Sequence, residues 1–324
     1  MRLLALLFLA LRLTLGAADV DNASALRPVI SDEERRAASQ MQAMERTLAD
    51  LQTLDPDKRR EREGNLERPL EKLLSSCSGT KHENKAIYLL ASWRAGYGDY
   101  RDVGALLDRL DACGYPAYKQ AGQLLRVDVL LHDGRVAEAR VVATAAIAKV
   151  PEFAAVLTLV AFHERVGQPA PRTAGRTIEG TLLDPASRSE PWLVYLFVDS
   201  IAGESAAQLG RWLSELARPG YAGKARVVCV AFTANGLAAA TAMRALPGAE
   251  SADLLWIDPA QGAELAAWQQ DWSLPAVPAV AILGPDRRIV AVQAQPTALR
   301  GLVAPGAKPK ERATTPKGGN PWGR

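Results

Sequence analysis

The apolar residues of this 324-residue chain repeat at two different periods, and the change falls near Val166. From residue 31 to about residue 165 they recur at steps of three and four, the spacing of amphipathic helices, with no alternating run to compete. Beyond it, short apolar runs of strand length take turns with helical stretches, which is the order of a sheet carrying helices on its faces. Two periods call for two folding units. The length agrees, since single domains commonly run to about 100–150 residues.

The helical part has its own punctuation. Ser31 followed by Asp32-Glu33-Glu34 is an N-cap with acidic first-turn residues, and breaks fall at Pro56, near Gly64, at Ser78-Gly79-Thr80 and at Gly114-Tyr115-Pro116. Gly98-Asp99-Tyr100-Arg101-Asp102-Val103 and Gly134-Arg135-Val136-Ala137-Glu138-Ala139 each place a glycine turn between two apolar helices, 36 residues apart. That offset resembles the tetratricopeptide period of about 34 residues, so residues 31–165 are expected to form helical hairpins of that kind. Such an array presents a concave protein-binding surface, or else packs as a support for its neighbour.

After Val166, strands are expected over 177–183, 191–198, 226–232, 254–257, 280–283 and 289–292. Helices are expected over 205–217, 236–246, 263–272 and 296–303. The last two strands flank Gly284-Pro285-Asp286-Arg287-Arg288, a hairpin turn. The fold class expected is therefore α + α/β, with helical hairpins first and a mixed-sheet α/β layer second.

Composition removes several classes. With 48% hydrophobic and 23% charged residues the chain is neither wholly disordered nor a multispan membrane protein, and a net charge of +3 gives nucleic acid no default claim. Met1-Arg2, the apolar run over 3–11 and Gly16-Ala17-Ala18 read as a signal peptide over residues 1–18, followed by a linker over 19–30. The protein is expected in the periplasm or outside the cell, where disulfides persist. At the other end, residues 305–324 hold four prolines, four glycines and a net charge of +4. They are expected to be a disordered basic tail that could touch an anionic envelope surface weakly.

Three segments together resemble the thioredoxin-like, redoxin-type superfamily. They are Gly167-Gln168-Pro169-Ala170-Pro171, the buried run 193–197 leading into a helix, and Leu274-Pro275-Ala276-Val277-Pro278 with the hairpin after it. The resemblance spans residues 166–304 and implies that Pro278 is cis and lies against the site where the family carries its cysteines. In thioredoxins a C-x-x-C stands where the first buried strand gives way to a helix, whose N-terminus favours the thiolate. Here that turn reads Asp199-Ser200-Ile201-Ala202-Gly203-Glu204-Ser205, with Ala202 and Ser205 in the cysteine positions.

No other nucleophile replaces the missing thiol. Cys229 sits within an apolar run, where a packed thiol is expected. Ser205 near a helix start reads as an N-cap, and Asp199 and Glu204 as solvated caps. His82, His132 and His163 all lie in the helical part, too scattered for a metal site, and Trp268 and Trp272 read as core. Cys77 and Cys113 end helices separated by one other helix, so antiparallel packing could bring them to one side and allow a disulfide.

Two functional classes remain open. One is a non-catalytic module that binds a protein or an extended peptide in a cleft formed by Ser200, Ala202, Glu204, Ser205, Val277 and Pro278, with no cofactor, metal or nucleic acid. The other is an enzyme, either a thiol oxidoreductase using Cys77 or Cys113 or a hydrolase built on Ser205. The missing acid-base partner favours the first.

Overall fold

The computed structural model describes residues 31–54, 56–112 and 116–303. The expected signal peptide, linker, tail and Cys113 lie outside the described residues. These fall into two compact units: one runs up to Arg172 and also takes in Gln261–Ala279, and the other holds Thr173–Ala260 and the chain from Val280 onward. No helix among the described residues is long and apolar enough to cross a membrane.

Among the described residues, the first unit has eight helices ahead of the sheet: α1 (Asp32–Gln52), α2 (Pro56–Gly64), α3 (Glu67–Cys77), α4 (Glu83–Gly96), α5 (Val103–Ala112), α6 (Pro116–His132), α7 (Val136–Ile147) and α8 (Ala155–His163). Ser31 caps α1 as expected, its Oγ accepting from the Glu34 amide at 3.1 Å. Beyond α1 against α3 and α3 against α4, the packing is regular: α4 lies on α5 and α6, and α6 lies on α7 and α8. The turns after α4 and α6 repeat one backbone pattern. Gly98 and Gly134 both adopt positive φ, near 72° and 73°, and the next amide reaches back five residues, Asp99 to Arg94 O at 2.9 Å and Arg135 to Leu130 O at 2.8 Å.

The two copies then diverge. From Gly98 to the start of α5 the chain has three residues more than from Gly134 to the start of α7, and the addition carries Tyr100. The Tyr100 hydroxyl donates to Asp128 Oδ2 at 2.9 Å, and its ring stacks on His132 at 3.8 Å. Burial pushes the Asp128 carboxyl above the usual carboxylate range, and the Tyr100 hydroxyl pulls it back. A folded state that holds a proton more tightly than the unfolded chain is most favoured below the ordinary carboxylate pKa and loses stability as pH rises through the raised value. Tyr100→Phe is therefore expected to cost about 1–3 kcal/mol at neutral pH, because a half-buried carboxylate loses its donor. Urea denaturation should show that loss narrowing as pH falls toward about 4.

The segment Gln261–Ala279 joins this first unit through side chains that reach across about a hundred residues of sequence. It contains α11 (Gly262–Trp272) and the Val277–Pro278 bond, which is cis. Trp272 Nε1 donates to Arg172 O at 2.9 Å, Arg172 pairs with Asp271 at 3.4 Å, and Arg165 donates to Asp271 O. Trp268 and Trp272 are fully buried, as the sequence suggested.

The sheet has seven strands: β1 (Gly175–Arg176), β2 (Leu182–Leu183), β3 (Trp192–Val198), β4 (Ala225–Phe232), β5 (Ala252–Ile257), β6 (Ala279–Leu283) and β7 (Ile289–Val292). Their order is β2-β1-β5-β4-β3-β6-β7, with β3, β4 and β5 parallel and the β1–β2 and β6–β7 pairs antiparallel. Helices α9 (Gly203–Leu216), α10 (Gly236–Arg244) and α12 (Ala298–Val303) complete the second unit. In place of the single strand expected over 177–183 there is a short hairpin, because Gly180 takes φ near 79° and closes a turn between β1 and β2.

Arg287 and Trp256 each tie segments of this unit together. Arg287, itself at φ near 60°, donates to the carbonyls of Ala186, Arg188, Glu190 and Pro191, which ties the last hairpin to the loop before β3. Trp256 donates from Nε1 to Thr233 O at 2.6 Å, and its indole then lies flat over Gly236, where an added Cβ would stand 2.7 Å from Cδ2. Gly236→Ala is expected to lower stability by about 1–3 kcal/mol through overpacking, read as a lowered urea midpoint with an unchanged slope.

Candidate functional site

The turn that the sequence singled out follows directly from β3. Six consecutive buried residues, Leu193 to Val198, fix that strand, and Ile201 drops its side chain into the core beyond it. The chain is thereby held at both ends of Asp199–Ser200. Ala202 is the N-cap of α9, extended at φ −146° and ψ 162°, and no side chain caps the helix there. Gly203 takes φ near 50°, where other residues rarely go.

The expectation that Ser205 caps the helix is not met. It is the third helical residue, 3% exposed, and its hydroxyl donates to Asp199 Oδ1 at 3.4 Å, a long bond. The helix begins earlier because Gly203 can turn the chain and Ala202 can stay extended. Glu204 pairs with Arg211 at 2.9 Å across the first turns of α9, so it is an ion-pair partner as well as a first-turn acid. Ser200 is half-buried and Ala202 is exposed. Chemically the turn offers a hydroxyl beside a carboxylate. All three histidines of the sequence lie before residue 173, so none belongs to the unit that carries Ser205.

The thiols are as poorly placed for chemistry. Cys229 stands in β4 between Leu196 of β3 and Leu254 of β5, is fully buried, and burial pushes its pKa to about 12. Cys77 is a free, fully buried thiol whose pKa is raised by burial and then by Glu83. A thiolate is disfavoured at both positions. Among the described residues there is no cluster of His, Cys, Asp and Glu that could hold a metal ion.

Val277 and Pro278 belong to the first unit, the other four expected cleft residues to the second. Next to Val277, within the first unit, the structure has a trough of about 460 Å³ that the sequence did not disclose. Thr158 from α8, Gln269 and Gln270 from α11, and Pro275 and Ala276 from the following loop line it, and among the described residues no charged side chain does. Its walls come from segments about a hundred residues apart, so no local pattern could have paired them.

No family model matches the chain, and no curated protein matches it. Among solved structures, a thioredoxin-like protein from Bacteroides caccae aligns over 86% of this chain and 96% of its own, at 11% identity and a TM-score of 0.37. A thiol-disulfide oxidoreductase from Bacteroides fragilis covers 42% of this chain and 97% of its own, at 20% identity and a TM-score of 0.33. A thiol:disulfide interchange protein from a Bacteroides species covers 45% and 95%, at 14% identity and a TM-score of 0.37. The element order and the sheet, with its parallel centre and closing antiparallel hairpin, define the class: a helical region followed by a mixed-sheet α/β layer.

Proposed function

We propose that this is an exported, non-catalytic thioredoxin-like protein that binds another protein or an extended peptide. The observation that carries the reading is the turn after β3. Where a thiol oxidoreductase needs two sulfurs, Ala202 and Ser205 supply a methyl and a hydroxyl, and neither can form a mixed disulfide. The buried, high-pKa Cys229 supports the same reading, and so does the lack of any histidine in the sequence of the unit that carries Ser205.

The helical part, residues 31–165, is read as tetratricopeptide-like hairpins, supported by the matching turns at Gly98 and Gly134 and by the stepwise packing of α4 through α8. The thioredoxin-like domain is read as residues 166–304. Within the second unit its expected peptide-binding residues are Ser200, Ala202, Glu204 and Ser205. The uncharged trough beside Val277 suits an extended chain, whose amides can bond to Gln269, Gln270 and Thr158. The basic tail is read as a weak contact with an anionic envelope surface.

The mature chain is expected to reduce a protein disulfide no faster than buffer thiol alone, and Cys229→Ala is expected to change nothing. Turnover that disappears in Cys229→Ala would overturn the reading. A labelled extended peptide bound by the wild type and released by Gln269→Ala with Gln270→Ala would support it.

A further inference from the structure

We propose that Asn235 is a site of spontaneous modification, at which the folded chain converts its own side-chain amide into an acid and resets the start of α10. The evidence is the junction between β4 and α10. Asn235 is exposed and is the N-cap of α10, with Oδ1 accepting from the Ala238 amide at 2.9 Å. The residue after it is glycine, and it has to be. A Cβ at Gly236 would lie 2.7, 2.8 and 2.9 Å from three ring atoms of Trp256, which is itself fixed by its bond to Thr233 O.

An asparagine followed by glycine carries a particular chemistry. The next backbone nitrogen can attack the side-chain carbonyl carbon when no Cβ shields it. Gly236 opens the helix, so its N–H is one of the first-turn donors without an intrahelical acceptor and leaves no helical bond on reacting. In the first step the Gly236 nitrogen bonds to Asn235 Cγ and gives its proton to solvent, while the side-chain nitrogen leaves as ammonia. Water then opens the cyclic imide, and no electrons are exchanged with any other reagent. Addition at Cγ gives aspartate; addition at the backbone carbonyl gives isoaspartate, with the main chain now routed through the side chain.

The two products act differently on α10. Aspartate keeps an oxygen for the Ala238 amide and adds a negative charge at the helix N-terminus, where it is favoured. Isoaspartate removes that acceptor and lengthens the main chain by one carbon directly before the residue pressed under the indole. The same packing that forbids a side chain at Gly236 thus keeps the reactive dipeptide in place.

The test uses the folded, full-length chain held at mildly alkaline pH in heavy-oxygen water, followed by peptide mapping and labelling with an isoaspartyl methyltransferase. Conversion at Asn235 with uptake of the heavy oxygen is expected, while Asn65 and Asn84, followed by Leu66 and Lys85, stay unchanged. Asn235→Ser, which keeps a capping oxygen, should lose the signal. Hydrogen exchange along α10 should rise in the isoaspartyl fraction and stay at the wild-type level in Asn235→Asp. An Asn235 amide that survives as long as those of Asn65 and Asn84 would overturn the proposal, as would equal exchange in all fractions.

Discussion

Asp253→Ala is expected to remove about 3–5 kcal/mol of stability from the sheet unit, the usual cost of leaving partly buried charges without their partner. Asp253 stands on β5 with 7% of its surface exposed. It accepts from Arg226 Nε and Nη2 at 2.8 and 2.9 Å and from Arg188 Nη2 at 2.9 Å, so one carboxylate serves two guanidinium forks. Glu190, 3.6 Å from Arg226, supplies the second negative charge. Without Asp253 the two cations face one another with Glu190 alone to balance them. Replacing the whole cluster with apolar residues, as in Asp253→Leu with Arg188→Met, Arg226→Met and Glu190→Met, should cost less than the single change, because no charge is then left buried. Urea midpoints decide the matter. A loss below about 1 kcal/mol for Asp253→Ala would mean that water already screens the cluster as it screens surface pairs.

Ala202→Cys with Ser205→Cys should give a chain that closes an internal disulfide on oxidation and reduces a protein disulfide well above the buffer rate. Ala202 caps α9 and Ser205 lies in its first turn, so a thiolate at position 202 would face the unpaired amides and positive end of the helix, which lower thiol pKa. Position 205 is shielded, and a thiol there could attack the mixed disulfide formed at 202. Either single variant should lack turnover. Loss of both free thiols on oxidation, with no dimer, is the result that fits. A double variant that keeps two free thiols under oxidant would show that the register assigned to this turn is wrong.

What could be read directly from the sequence was the part of the fold written in neighbouring residues. The continuous apolar run ending at Val198 lies buried in the sheet, and the Gly284-to-Arg288 turn joins two antiparallel strands, because hydrophobic period and turn chemistry act over a few residues. The helix begins at Gly203, ahead of the start expected near Ser205, for a related reason. Serine is the better capping residue in isolation, but a glycine at positive φ two positions earlier decided where the helix could begin. The ion cluster at Asp253 joins residues 27 and 65 positions away, and the trough beside Val277 joins α8 to α11. Such pairings depend on the finished fold and leave no local trace.

The strand order also sets a timetable for the growing chain, which arrives from its N-terminus. β3 can pair with β4, and β4 with β5, as soon as these have emerged, but the other side of β3 belongs to β6. Until Leu283 arrives, the backbone amides and carbonyls along Trp192–Val198 form a bare edge able to pair with any passing strand. The helical unit waits as well, since the groups that hold Arg165 and Arg172 lie on Asp271 and Trp272. Both units are thus finished by one late stretch, and a chain stalled before it would carry two unfinished surfaces at once.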